Sequence, residues 1–548
     1  MKKSLLLVLL LAALPLLAAN PVPAISEPLF PTHVAPGSSS FTLTVNGTGF
    51  VSGTVVNWNR VARQTTFVSS SRVTAQITGA DVANAGTASV SVVNPGPGGG
   101  ASNVAFFSVT LPTKSIAVRR DAISVPNGGV SIVAGDFNND GRVDTATLGS
   151  FHKQISLVIS GNVSPHTYEL GVGLPGGQPI QVAVGDFNGD GKLDLVAAAG
   201  PVWVLLGNGD GSFQAPVEYL EDSLSGQVVV RDINGDGNLD LVFGSQSADG
   251  MNPVLLGNGD GTFRAGTSYA GGTHIAALAA ADFNGDGLVD LAVVPDPIVG
   301  EVCVELGNGD GTFVPGLCAA LAPGISVRGM TVADFNGDGK PDLAITPGYI
   351  ALGNGDGTFS ISANTLWRAL WFTAADVNGD GFVDLVFTDP RPLVGLQISL
   401  GDGSGHFNGV LSFTFPSSTR GIAVADMDGD GRLDFIGVRG ALDFQAPAVT
   451  LSTKTLAFPT TKIGSASAPK SVTVTNSGSA DLAFTGIATN SADFSETSDC
   501  PSIMAVGSSC SVSVVFTPSI IGLETAVLTI SDNAHFGFQS VNLHGKGK

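Results

Sequence analysis

An all-β fold, a seven-bladed β-propeller flanked by two Ig-like β-sandwiches, is predicted by three features of this 548-residue sequence. An acidic nine-residue segment recurs seven times at near-constant spacing. Runs of four to seven Val, Leu, Ala and Phe residues, bounded by Gly, Asn and Asp, fill the stretches between its copies, and Gly is abundant at 73 residues. Blocks with apolar alternation but without the acidic segment lie on either side.

The acidic copies read DFNNDGRVD from Asp136, DFNGDGKLD from Asp186, DINGDGNLD from Asp232, DFNGDGLVD from Asp282, DFNGDGKPD from Asp334, DVNGDGFVD from Asp376 and DMDGDGRLD from Asp426. They start 50, 46, 50, 52, 42 and 50 residues apart, the length of one four-stranded propeller blade. Each unit parses as strand, acidic loop, strand, strand, turn, strand. The turn reads LGNGDGSF at Leu206, LGNGDGTF at Leu256, Leu306 and Leu352, and LGDGSGHF at Leu400. Asn-Gly and Asp-Gly are what tight hairpins require, because their central residues take positive φ. The first unit has only a degenerate ISGN near Ile159, and the seventh is short of a fourth strand. A strand drawn from the segment 115–125 is expected to complete it, since an unfilled sheet would leave a pairing edge exposed.

Oxygen donors at positions 1, 3, 5 and 9, a backbone carbonyl at 7 and Gly at 6 are the chemistry of a hard divalent cation, Ca²⁺ above all. The predicted ligands are Asp136, Asn138, Asp140, Asp144 and the carbonyl of Arg142 in the first loop, and Asp186, Asn188, Asp190, Asp194 and the carbonyl of Lys192 in the second. The third uses Asp232, Asn234, Asp236, Asp240 and Asn238, and the fourth Asp282, Asn284, Asp286, Asp290 and Leu288. The fifth offers Asp334, Asn336, Asp338, Asp342 and Lys340, and the sixth Asp376, Asn378, Asp380, Asp384 and Phe382. Asp426, Asp428, Asp430, Asp434 and Arg432 form the seventh. A single loop of this kind is indistinguishable from a solvated turn, but seven with identical donor positions are not. An EF-hand is excluded, because its twelfth position is a bidentate Glu between helices, whereas here that position is Thr147, Ala197, Phe243, Val293, Ile345, Phe387 or Gly437. Up to seven Ca²⁺ ions are expected, one per blade, with affinities on the order of 10⁻⁴–10⁻³ M and a structural role.

This explains most of the charge. The loops hold 22 of the 46 acidic residues, and the +14 of seven divalent ions would leave −7 of the formal −21. The 25 basic residues are scattered, so no nucleic-acid surface is expected.

Residues 1–19 have the layout of a secretory signal: Lys2 and Lys3, an apolar stretch from Leu5 to Leu17, then Ala18 and Ala19. A secreted location follows as an expectation, extracellular, cell-surface or periplasmic, with no transmembrane segment in the mature chain. In an oxidising compartment, closeness in sequence favours Cys303–Cys318 and Cys500–Cys510 among the three pairings that four cysteines allow.

The acidic loops and LGNGDGTF turns resemble FG-GAP/VCBS-type repeats, similar to those of integrin α-subunit propellers, over residues 111–446. That resemblance implies a seven-bladed wheel with calcium in the inter-strand loops of one face, and adhesion or ligand recognition through other loops. Residues 21–110, with Asn46–Phe50 and Val93–Gly99, resemble the IPT/TIG Ig-like family. Residues 447–548, with Phe516-Thr-Pro518 and Gly522, look like the bacterial Ig-like domains of the ASPM/SPD-2/Hydin and choice-of-anchor D groups.

No H-E-x-x-H, G-x-S-x-G or phosphate-binding loop is present, and the seven His residues do not cluster in sequence. The expectation is a non-enzymatic, monomeric protein that recognises an extracellular protein or carbohydrate. The alternative is a secreted polysaccharide-active lyase or hydrolase on the same scaffold. Trp367, Arg368, Trp371 and Phe372 form the densest aromatic patch, read as core packing ahead of a sugar platform.

Overall fold

The computed structural model describes residues 20–548 except 85, 110–115, 117–118, 123–128, 150–153, 160–165, 171–180, 225, 245–251, 273, 296–299, 323–326, 364–370, 389–394, 414–420, 428–431, 438–440, 445–446, 479–480 and 535–537. The described residues form strands and no helix. None of their segments is a helix long and apolar enough to cross a membrane. The signal-like residues 1–19, the metal candidates Asp428 and Asp430, and Trp367 and Arg368 lie outside the described residues.

The N-terminal sandwich packs the sheet Ala24–Phe30, Phe41–Thr48, Arg72–Ile77, Thr65–Ser69 against a second built on Ala105–Val109, Gly86–Asn94 and Val55–Trp58. Alternation places Leu43, Val45, Val73, Val90 and Phe107 in one core, with Trp58 against Phe107 at 5.1 Å between ring centroids. The C-terminal sandwich, from Val449, repeats the architecture around Val472, Val512, Phe516, Leu528 and Leu543.

Between them the described residues form seven four-stranded antiparallel sheets, separate in hydrogen bonding. The second is typical: Gln181–Gly185, Asp194–Ala198, Gly200–Leu205 and Val217–Leu224, in that order. Arg119–Ala122 pairs antiparallel with Ala441–Phe444 and so supplies the fourth strand of the seventh sheet. The first strand of each sheet lies beside the first strand of the next, and Ile422–Ala425 of the seventh lies beside Gly129–Gly135 of the first. Disulfides join Cys303 to Cys318, which face each other in one ladder, and Cys500 to Cys510.

A buried carboxylate holds each acidic loop to its sheet. The Asp at position 9 opens the second strand and is fully buried in every unit. Its Oδ2 accepts the N–H of loop position 2 in all seven units, from Phe137 to Asp144 at 3.0 Å through Met427 to Asp434 at 2.8 Å. In the second to sixth units its Oδ1 also accepts the N–H of the glycine that opens the hairpin turn, at 2.7–2.9 Å. That glycine is obligatory. A Cβ at Gly207 would sit 2.2 Å from the Leu193 carbonyl oxygen.

A second device couples neighbouring sheets. The turn of one sheet donates an N–H to the carbonyl of position 2 in the preceding loop, as Gly261 does to Phe187 at 3.1 Å and Gly357 to Phe283 at 3.0 Å. The aromatic residue ending that turn then meets the loop aromatic edge-on: Phe187 with Phe263 at 5.5 Å, Phe335 with Phe407 at 5.7 Å. Phe372, from the aromatic patch, packs against the core around Phe335 and Phe387.

Two outcomes test this anatomy. Asp342→Ala strips the N–H groups of Phe335 and Gly353 of their acceptor, at about 1–3 kcal/mol for each buried orphan; its Tm should fall markedly in the absence of any metal, and Asp342→Asn should fall less. Deleting Arg119–Ala122 removes the fourth strand of the seventh sheet and should lower the melting temperature of the whole repeat region as one transition.

Candidate metal centres

The first six loops are each wound on their own N–H groups. In the second unit Asp186 accepts from the N–H of Asp190 and Gly191 at 3.1 and 2.8 Å, Asn188 Oδ1 from Asp190 at 3.0 Å, and Asp190 from Lys192 at 3.0 Å. Gly191 turns the chain at φ 80°. The first, third, fourth, fifth and sixth loops repeat the bonds from positions 5 to 3 and 7 to 5. In the seventh, Asp426 and Asp434 are described and buried.

The side chains at position 7 differ from loop to loop, and Arg432 of the seventh is buried. Lys192 Nζ reaches Asp190 at 3.1 Å, whereas Leu288 and Phe382 are exposed.

The electrostatics show crowded negative charge. Burial, then the neighbouring loop carboxylates, push Asp194, Asp240 and Asp342 up to about 7 and Asp290 up to about 6, against the backbone N–H bonds that favour ionisation. At position 1, burial raises Asp186, Asp232, Asp282 and Asp334, and pushes Asp376 up to about 6. The hairpin aspartates Asp210, Asp260, Asp310 and Asp356 go the other way, lowered by the hydroxyl of the Ser or Thr two residues on.

Hard oxygen donors, carboxylates near enough to oppose one another's ionisation, and a glycine turn fit a divalent cation in type. In spacing, the carboxylates are set wide. Among the described residues, the groups of three acidic, His or Cys side chains within 4.8 Å of one another are Glu301 with Cys303 and Cys318, and Asp499 with Cys500 and Cys510, each built on a disulfide. An ion would have to draw the loop oxygens inward.

The N-terminal sandwich sits over the acidic loops, a placement nothing in the sequence signalled. The hairpin tip Asn59–Arg60, at φ 49° and 64°, brings Arg60 into an ion pair with Asp136 and a 3.1 Å bond to the Asn139 carbonyl. The Val22 N–H donates to Asp232 at 2.8 Å. The first loop therefore already carries a cation, the guanidinium of another domain.

Comparison with known proteins agrees with this anatomy. The FG-GAP-like repeat model matches residues 186–243, 232–293, 282–345 and 376–437. The IPT/TIG domain model matches 27–109, and the HYDIN/CFA65/VesB-like Ig-like domain model matches 447–548. No curated relative matches the chain. Among solved structures, BBS1N in complex with ARL6DN is 13% identical, with TM-score 0.42, covering 61% of this chain and 96% of that one. An auxiliary nutrient binding protein from Bacteroides ovatus is 12% identical, with TM-score 0.31, covering 77% and 98%. The ASH/PapD-like domain of human CEP192 is 15% identical, with TM-score 0.17, covering 19% and 88%. Similarity at this level carries nothing about activity. The chain is a protein of FG-GAP-like repeats set between an N-terminal IPT/TIG domain and a C-terminal HYDIN/CFA65/VesB-like Ig-like domain.

Proposed function

We propose that the seven sheets are the blades of one closed propeller, that its acidic loops bind calcium as structural staples, and that the protein acts in extracellular or cell-surface recognition of a protein or carbohydrate. The closed wheel is supported by the succession of first strands from sheet to sheet and back to the first, together with the N-terminal strand in the seventh sheet.

The single observation that carries the calcium reading is the repetition of one donor set on one backbone conformation, with carboxylates that raise each other's proton affinity. When bound, Ca²⁺ supplies the positive charge that lets these carboxylates stay ionised. The chain's own residues do the rest: positions 1, 3 and 5 orient oxygens, Gly at 6 turns the chain, and position 9 ties the loop to the sheet. An extracellular setting is supported by the two disulfides and by the signal-like residues 1–19. The Ig-like domains serve as spacers or contact modules. A glycan and protein array probed with calcium and with EDTA tests recognition; the absence of any calcium-dependent ligand across both would remove that part of the proposal.

If ions bind only the folded wheel, mass action requires Tm to climb with calcium concentration and to return on adding EDTA. A flat titration monitored by calorimetry would sink the staple role. The pH dependence has a definite sign. Folded pKa values near 6–7, against about 3.9 unfolded, mean that the apo protein holds protons which its unfolded chain releases. That stabilisation is complete below about pH 4 and is lost as pH rises through 6–7. The hairpin aspartates, being lowered, titrate beneath this window. In EDTA, Tm should therefore drop between pH 4.5 and 7.5, and the calcium-induced rise should be larger at pH 7.5 than at pH 5.

A further inference from the structure

We propose that the cavity between the N-terminal sandwich and the loop face of the repeats is an oxyanion-binding site, centred on Arg231, for a carboxylate or sulfate group such as that of an acidic sugar.

The position just before each acidic loop ends the first strand of its sheet. It is Gly135, Gly185, Arg231, Ala281, Ala333, Ala375 or Ala425. Six of the seven units end in no more than a methyl group, and the third ends in a guanidinium. That side chain lines a cavity of about 290 Å³, near the lower end of the range for small-molecule sites. The floor includes Ala281 and Ala333, the small residues of the next two units, and the roof is formed by Asn46 and Arg72 of the sandwich. Lys340 lies in the same wall.

Arg231 is only partly exposed. One of its N–H groups bonds the Val230 carbonyl at 2.9 Å, and among the described residues no carboxylate pairs with it. A guanidinium carries five donors, and enclosing it without a counter-charge is costly. Asp282 and Asp334 also line the cavity but are turned into their own loops, each accepting three backbone N–H groups at 2.7–3.1 Å. The complement the cavity lacks is an anion with two oxygens, which a guanidinium holds bidentately, with the Arg72 charge alongside, while Lys340 Nζ stays 3.8 Å from Asp338 of its own loop. Asp282 and Asp334 belong both to this wall and to the acidic loops, so anion binding is measured with and without calcium.

The test uses the full chain, in EDTA and again in calcium, at constant ionic strength, with galacturonate, sulfate and neutral galactose as probes, read by thermal shift and calorimetric titration. The wild type should be stabilised by galacturonate, by sulfate or by both, and not by galactose. A response to galacturonate alone identifies an acidic sugar, and a response to both identifies the oxyanion itself. Arg231→Ala installs the residue that four other units carry at this position, and Arg231→Gln keeps the side-chain length. Each should weaken anion binding about tenfold or more while leaving the calcium response of Tm unchanged. The proposal is overturned if neither anion moves the wild type beyond sodium chloride, or if both variants respond as the wild type does.

Discussion

Every acidic loop is held in place by the carboxylate that ends it. The buried Asp at position 9 takes the N–H of position 2 on one oxygen and, in five units, the first N–H of the hairpin turn on the other. Two pieces of irregular backbone that would otherwise bury unsatisfied donors are thus closed onto the start of a strand. The loop conformation, the approach of turn to loop, and the reach of that turn to the neighbouring sheet all follow from this one acceptor. Its position at the first residue of the second strand also explains why the acidic segment cannot drift along the unit. A shift by one residue would turn the carboxylate to the other face of the sheet.

The same carboxylates make the loop face expensive without a counter-charge. Burial and mutual repulsion press protons onto positions 1 and 9, and three sources of relief are visible: the loops' own N–H groups, lysines at position 7, and the N-terminal sandwich. Arg60 on Asp136 and the Val22 N–H on Asp232 make the sandwich part of the electrostatics of that face. An ion bound as proposed would act on the same oxygens as the seated domain, so that each would bias the other.

Much of the repeat region is legible in the sequence. Asp-x-Asn-x-Asp-Gly-x-x-Asp and Leu-Gly-Asn-Gly-Asp-Gly are local signals: spacing, positive-φ glycines and β-branched runs place loop, turn and strands without reference to distant residues, as in Gln181–Leu224. The strand Arg119–Ala122 was inferable too, since a sheet lacking a member leaves an edge to fill. Other features were not. Position 9 reads as a metal ligand from its spacing, and its work as an acceptor for Phe187 and Gly207 needs a turn thirteen residues away to fold back. The edge-on Phe187–Phe263 contact joins two sheets; a reader of the sequence had the signal, an aromatic at loop position 2 and another at the turn's end in most units, but not the pairing.

Alone, then, the chain's sequence determined the element type, the number of acidic loops, the chemistry of their donors and the two flanking sandwiches, because each depends on residues within a few positions of one another. Tertiary structure alone decided that Arg60 falls on Asp136, that Arg231 faces a cavity while Ala281 and Ala333 line its floor, and that the N-terminal sandwich covers the loop face. Those outcomes join residues separated by tens to hundreds of positions. They are selected by how whole sheets pack, a sum over many weak contacts that no local pattern encodes.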